Sequence, residues 1–142
     1  MQIITRQVED KPLTVTIEYP EMTESVRGLV KRIESLDVSF AVNFDGKQLR
    51  IALSDVYYLE SVDRKVFLYT KRDVYLLGAS MAEIERIAEG SDLVRISRTC
   101  VMNTSHLTEI RQLKNSHLEA TLDNNECLIV SRKYLRDIKR RF

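Results

Sequence analysis

The sequence predicts a mainly β fold with accessory helices, and three features of the chain lead to this prediction. From Val56 onward, short runs alternate apolar and polar residues with the period of a half-buried strand. Turn-forming residues separate β-like runs, at Asn124-Asn125 within this region and at Asp45-Gly46 before it. Apolar residues recur with helical spacing in only three places, so the helices are expected to be few and short.

The first 45 residues predict a strand, a helix and a second strand. Residues 14–19 alternate Val15 and Ile17 with polar neighbours and stop at Pro20, which favours a strand. Thr23 is a suitable N-cap for the helix that follows. The apolar stripe of this helix consists of Val26, Leu29, Val30, Ile33 and Leu36. We expect this segment to lie as a small layer against the rest of the sheet.

Later elements continue the β pattern. Asp45-Gly46 predicts a hairpin that joins the apolar runs on either side of it. Further strands are predicted over residues 56–68, 74–77, 107–113, 118–122 and 127–130.

Two more helices are predicted from their caps and stripes. One begins at Ser80, where Ser80-x-x-Glu83 has capping-box spacing, and ends at Gly90. The last begins at Ser131. The two apolar stripes consist of Met81, Ile84 and Ile87 in the first, and of Leu135, Ile138 and Phe142 in the second.

Length and composition indicate one domain, or one domain with an appendage, in a chain of 142 residues. A chain of this size buries about 68% of its unfolded surface, so disulfides are not required. Cys100 and Cys127 lie in apolar runs without Cys-x-x-Cys spacing and are expected to be buried, reduced thiols. The N-terminus has no long apolar core and no later run is long enough to span a membrane, which favours a cytoplasmic protein.

The formal net charge of +1 conceals an asymmetry along the chain. Residues 1–45 carry 5 Lys/Arg and 8 Asp/Glu, a net charge of −3. Residues 91–142 carry 10 and 6, a net charge of +4, whereas the middle is balanced with 7 of each. An acidic front and a basic rear indicate a nucleic-acid contact confined to the later segment, although a chance gradient on a solvated surface remains an alternative.

Motifs for catalysis and for metal binding are missing from the sequence. There is no His-Glu-x-x-His, no Gly-rich phosphate loop and no paired Cys/His spacing. The two histidines, His106 and His117, have different neighbours and are interpreted as ordinary surface or edge residues. We therefore expect neither an enzyme nor a bound cofactor or metal.

Three stretches, residues 53–71, 92–103 and 128–135, each join an apolar β-run to a short basic turn. Arg or Lys beside Ser or Thr at such turns suits a polyanion, because arginine forms paired hydrogen bonds with phosphates and guanine edges.

Together these stretches resemble the LytTR family of bacterial transcription-factor DNA-binding domains. The matching segments are Asp-Val-Tyr-Tyr-Leu-Glu-Ser at residues 55–61, Val-Arg-Ile-Ser-Arg-Thr at 94–99, Val-Met-Asn at 101–103 and Val-Ser-Arg-Lys-Tyr at 130–134. Their order and spacing match across about residues 46–142, and no single motif carries the resemblance. It implies an elongated LytTR-like β-sheet domain at 46–142, preceded by a regulatory or dimerisation segment at 1–45.

The resemblance also implies that loops, and not a recognition helix, enter the DNA grooves. Arg98 follows Ile96-Ser97, where a LytTR chain leaves its strand and points into a major groove; a solvated surface arginine is the alternative. Arg64-Lys65 matches the first DNA-facing loop, although many relatives carry a Gly-Asn-Tyr-like turn there. Arg132-Lys133 matches the third contact region. In this interpretation Arg64, Lys65, Arg98 and Lys133 read or approach bases, and Ser97, Thr99 and Arg132 hold the DNA backbone.

Four other residues receive weaker interpretations. Lys71, Arg72 and Lys114 could neutralise further phosphates or simply keep the protein soluble. Asn103 is interpreted as structural, with its side chain completing a turn.

The implied function is a sequence-specific regulator of transcription that binds direct repeats in double-stranded DNA. Many relatives carry a phospho-acceptor receiver domain, for which the 45 residues before the match leave no room. Control would then act through the acidic front segment, by homodimer formation or through a membrane-bound inhibitor.

Two other kinds of function remain open. One is a β-rich ligand-sensing or protein-interaction module with incidental basic turns. The other is an RNA binder, although the basic turns lack exposed aromatic residues for stacking.

Overall fold

The computed structural model describes residues 1–141 and confirms a mainly β fold with accessory helices. The helices are α1 (Glu24–Ser35), α2 (Met81–Ala88) and α3 (Leu135–Arg141). The strands are β1 (Ser39–Phe44), β2 (Lys47–Ala52), β3 (Tyr58–Val62), β4 (Lys65–Tyr69), β5 (Val74–Leu77), β6 (Leu93–Arg95), β7 (Cys100–Asn103), β8 (Leu107–Gln112), β9 (Leu118–Leu122) and β10 (Cys127–Val130).

A five-stranded antiparallel sheet in the order β5-β4-β3-β7-β6 forms the centre of the protein. Both faces of this sheet are covered at β3, β7 and β6, because neighbouring residues of one strand enter different cores, whereas Leu76 of the edge strand β5 is 50% exposed. On β3, Leu59 joins the core beneath the β1–β2 hairpin and α2, whereas Tyr58 joins the core beneath the second sheet and α3. Leu93 and Val94 divide in the same way on β6. Each core therefore packs against one face of the central sheet.

The β1–β2 hairpin forms as predicted. Asp45 and Gly46 both have positive φ, 50° and 73°, as a two-residue turn between twisted strands requires. Phe40 and Val42 of β1 lie in the first core, 4% and 2% exposed. The proposed boundary between residues 45 and 46 falls inside this turn, so strands paired with each other lie on its two sides.

The second sheet has three antiparallel strands in the order β10-β9-β8. A turn at Asn125, with φ of 68°, joins β9 to β10. Ile138 of α3 is fully buried in the core between this sheet and the central one. Phe142, the third residue of the predicted stripe, lies outside the described residues.

Helix α1 begins as predicted, with the Thr23 hydroxyl accepting a hydrogen bond from the Val26 amide at 3.3 Å. The predicted strand at residues 14–19 is wrong, since the described chain has no strand before β1. Alternation favours a strand only where a neighbouring backbone supplies hydrogen bonds, and the structure provides no paired strand for this segment.

Two burial predictions also need correction. Ile87 is 41% exposed, and Ala88 takes its place on the buried face of α2. Cys100 is buried as expected, but Cys127 is exposed, because it lies on the outer face of β10. None of the described helices is long and apolar enough to cross a membrane.

Candidate nucleic-acid interface

The first basic turn joins β3 to β4 in two residues. Asp63 and Arg64 both adopt positive φ, 50° and 66°, which reverses the chain tightly and leaves the Arg64 side chain exposed. Lys65 is the first residue of β4 and is exposed as well. Arg64 and Lys65 therefore stand at one tip of the central sheet.

The second basic turn, residues 96–99, lies directly beside the first. The Ser61 amide donates a hydrogen bond to the Thr99 carbonyl at 2.7 Å, which joins the end of β3 to this turn. Within the turn, the Thr99 amide donates to the Ser97 hydroxyl at 3.2 Å. Arg98 and Thr99 are exposed and Ser97 is half-buried, so the turn presents one guanidinium flanked by two hydroxyls.

The third basic segment adjoins the second through another backbone hydrogen bond. The Ser131 amide donates to the Ile96 carbonyl at 2.8 Å, immediately before the short 3₁₀ turn Arg132–Tyr134. Arg132 and Lys133 are exposed, and the Lys133 ammonium lies 5.6 Å from the centre of the Tyr134 ring.

Lys114 joins the same end of the protein. A guanidinium nitrogen of Arg132 lies 3.3 Å from the Asn115 carbonyl, in the turn between β8 and β9 that also carries Lys114.

The structure thus gathers all seven predicted site residues at one end of the central sheet. Lys71 and Arg72 lie at the other end, because they belong to the β4–β5 turn and strand β4 runs between the two turns. Within the described chain, Arg64, Lys65 and Arg98 form no ion pair. Their charges are therefore available to an anion.

Arg95 lies within the matching segment at residues 94–99, but sequence reasoning gave it no role. Its guanidinium forms an ion pair with Glu85 of α2 at 2.7 Å. It also donates hydrogen bonds to the carbonyls of Ser97, at 3.0 Å, and Arg98. The helical spacing of Glu85 and the β spacing of Arg95 gave no sign of this contact.

The buried thiol beside the second turn, that of Cys100, is chemically unreactive at neutral pH. Burial raises the pKa of the Cys100 thiol to about 12, and the Glu60 carboxylate adds to the effect. The thiol therefore stays protonated at neutral pH and is a poor nucleophile or metal ligand. Across the described chain no three His, Cys, Asp or Glu residues are grouped in a way that could hold a metal ion.

A separate polar cluster lies at the far end of the second sheet. The Tyr57 hydroxyl donates a hydrogen bond to Asp123, and His106 lies 3.1 Å from the same carboxylate and 2.7 Å from the Ser54 carbonyl. The hydrogen bond from Tyr57 lowers the pKa of Asp123, and His106 and Lys71 add to this against the opposing effect of burial. His106 thus ties two elements together and is not simply a surface residue.

The comparison with protein families agrees with the resemblance of the three stretches. Residues 46–142 match the family described as the LytTr DNA-binding domain. The chain belongs to the LytTR family. This is a family of DNA-binding domains and not of enzymes, and the matched range is the one that the sequence motifs delimit.

Known relatives share low identity with this chain. The sensory transduction protein LytT of Bacillus anthracis is 22% identical over 146 residues, covering 99% of this chain. The chain spans only 59% of the length of that relative. An uncharacterized HTH-type transcriptional regulator of Staphylococcus aureus is 24% identical over 89% of this chain and 87% of its own length.

A solved LytTr DNA-binding domain from Bacillus cereus has the same fold. It superposes with a TM-score of 0.65 at 21% identity and covers 72% of this chain and 94% of its own.

Proposed function

We propose that this protein is a cytoplasmic, sequence-specific regulator of transcription that binds direct repeats in double-stranded DNA. The observation that carries the proposal is the pair of backbone hydrogen bonds, Ser61 to Thr99 and Ser131 to Ile96, that holds three basic turns side by side. Each of the three adjacent turns carries a net positive charge, with Asp63 partly offsetting Arg64 and Lys65 in the first, so together they present a cationic edge to a polyanion.

The residues at this edge divide into two roles. Arg98 has no ion-pair partner in the described chain and can donate two hydrogen bonds to guanine O6 and N7. Arg64, Lys65 and Lys133 approach bases from the flanking turns. Ser97, Thr99 and Arg132 contact phosphates and fix the orientation of the protein on the duplex.

The recognition of direct repeats has a geometric consequence. Two copies bound to direct repeats face the same way along the duplex, so a contact between them is head-to-tail and not two-fold symmetric.

The front segment is proposed to serve regulation or assembly, and not DNA contact. Helix α1 buries no residue fully, and nine large apolar side chains of residues 1–36 are exposed to solvent. They are Met1, Ile3, Ile4, Val8, Leu13, Val15, Tyr19, Met22 and Leu36. An exposed apolar surface of this kind marks a contact with another protein. We propose a second copy of the chain or a membrane-bound inhibitor as that contact, and the net charge of −3 on residues 1–45 keeps the segment from DNA.

A binding selection on random duplex DNA tests the proposed function. We expect enrichment of a pair of short sites repeated in the same orientation at moderate salt. No enrichment would favour the alternative, a protein-interaction module whose basic turns are incidental.

A truncated protein tests whether the front segment serves regulation or assembly while the rest of the chain binds DNA. The fragment should begin at Asp37, because it then keeps Val38, which packs against the first core, and the whole of strand β1. We expect it to fold and to keep duplex binding per monomer, while its self-association or its response to an inhibitor is lost. A folded fragment that no longer binds any duplex would contradict the division.

A further inference from the structure

We infer that Arg95 is a positioning residue that fixes the backbone on both sides of Arg98 and does not itself contact DNA. The inference rests on the proposed function, in which Arg98 reads a base. Arg95 ends strand β6, and its side chain folds back over the turn that follows. Its Nε donates to the Ser97 carbonyl at 3.0 Å, and one Nη donates to the Arg98 carbonyl.

The two accepting carbonyls belong to the peptide units on either side of the Arg98 Cα. Fixing the planes of both units fixes φ and ψ of Arg98, since these two angles relate one plane to the other. The direction in which the Arg98 side chain leaves the turn is thereby set before DNA arrives. A side chain that reads a base must be held to within about 0.5 Å, and the planar fork of one guanidinium supplies that constraint.

Glu85 holds the fork in place from the other side. Its carboxylate lies 2.7 Å from the remaining Nη of Arg95, and the two side chains are 47% and 24% exposed. The Glu85 carboxylate neutralises the charge of Arg95, whereas Arg98 has no such carboxylate partner in the described chain. Arg95 is therefore poorly placed to attract phosphate, and Arg98 is well placed.

Replacing Arg95 by lysine distinguishes the effect of losing the two hydrogen bonds to the turn from the effect of losing a positive charge. An ammonium keeps the charge and can pair with Glu85, but it is a point donor and cannot hold both carbonyls in a fixed plane. Arg95→Lys is thus the informative variant. Arg86→Lys is the matched control, because Arg86 is exposed on α2 next to Glu85 and forms no ion pair in the described part of the chain.

The first test uses the free protein and amide hydrogen exchange. In Arg95→Lys, the amides of Ser97 and Thr99 should exchange about tenfold faster, while those of β3 and β4 stay unchanged. Arg86→Lys should leave all of them unchanged. Glu85→Gln should change the same two amides in the same direction to a smaller extent, and it provides a second variant if Arg95→Lys folds poorly. Unchanged exchange of Ser97 and Thr99 in both variants would overturn the inference.

The second test measures binding to the duplex enriched by selection and to a scrambled duplex. Arg95→Lys should lose about tenfold in affinity for the selected duplex and less than about twofold for the scrambled one, with no change in salt dependence. Equal losses on both duplexes with a weaker salt dependence would make Arg95 a phosphate contact and overturn the inference. If the wild-type protein binds both duplexes alike, the proposed function fails, and the exchange experiment still decides whether Arg95 fixes the turn.

Discussion

Replacing Arg98 should remove discrimination between DNA sequences and not merely attraction to DNA. Its side chain is exposed and forms no ion pair in the described structure, so Arg98→Ala should leave the fold intact. A paired arginine–guanine contact is worth about 1–3 kcal/mol of discrimination. That range corresponds to a loss of about 5- to 150-fold in affinity for the selected site. Affinity for a scrambled duplex should fall only slightly, by the attraction of one charge.

Arg140 provides the matched control. It carries the same charge, is exposed on α3, and lies outside the three basic turns. Arg140→Ala should weaken all duplexes slightly and alike, because it can act only through the general field of the protein.

Fluorescence anisotropy titrations of both variants provide the assay. Each should be measured against the selected duplex, a scrambled duplex and a set of single-base-pair substitutions. The Arg98→Ala variant should bind with equal affinity to all substitutions at one base pair of the site. At the other base pairs it should keep the preferences of the wild type. Equal losses on the selected and scrambled duplexes would identify Arg98 as a phosphate contact and refute the assignment.

Three further predictions concern stability and reactivity. Asn103→Asp should destabilise the protein by about 2–3 kcal/mol in denaturant titrations, since the fully buried amide donates to two backbone carbonyls that a carboxylate would repel. Asp123→Asn should destabilise the protein at neutral pH, and the destabilisation should shrink as acid is added. The hydrogen bond from Tyr57 lowers the pKa of Asp123 in the folded state. The carboxylate therefore stabilises the fold at a pH above the pKa of the unfolded state, and this stabilisation is lost as the pH falls through the lowered pKa of the folded state. A thiol reagent should label Cys127 rapidly in the native protein and Cys100 only after unfolding, with mass spectrometry as the readout.

Local signals in the sequence predicted the elements that local physics controls. Asp45-Gly46 specified a hairpin because both residues tolerate the positive φ that the turn demands. Thr23 and Ser80 marked two helix starts because a side-chain oxygen there accepts from an amide three residues later, and both hydrogen bonds are present.

Elements that depend on distant partners were predicted less well. Residues 14–19 alternate like a strand, but strand formation needs a neighbouring backbone, and sequence does not show whether one is available. Ile87 has the right spacing for the stripe of α2, yet the helix is oriented so that the smaller Ala88 faces the core. Cys127 lies in an apolar run whose outer face has no covering layer.

The candidate site shows the same division. The basic turns could be recognised one by one, but their meeting at one end depends on the pairing of β3 with β7 and on the hydrogen bond from Ser131 to Ile96. Both link residues far apart in the chain. The contact of Arg95 with the next turn and with Glu85 of α2 could not be predicted without the packing of α2 against the sheet.

The salt dependence of two double variants tests most directly which end of the sheet meets DNA. Arg64-Lys65 and Lys71-Arg72 are adjacent basic pairs in turns at the two ends of strand β4. For the wild-type protein, the slope of log K against log salt should be about −4 to −5, because the positive charges at this end of the sheet together displace about five counterions from the DNA, whether they lie beside bases or beside phosphates. Arg64→Ser/Lys65→Ser should reduce its magnitude by up to about 2, and Lys71→Ser/Arg72→Ser should leave it unchanged. A wild-type slope near zero, or an equal reduction in both double variants, would contradict DNA binding through the three basic turns.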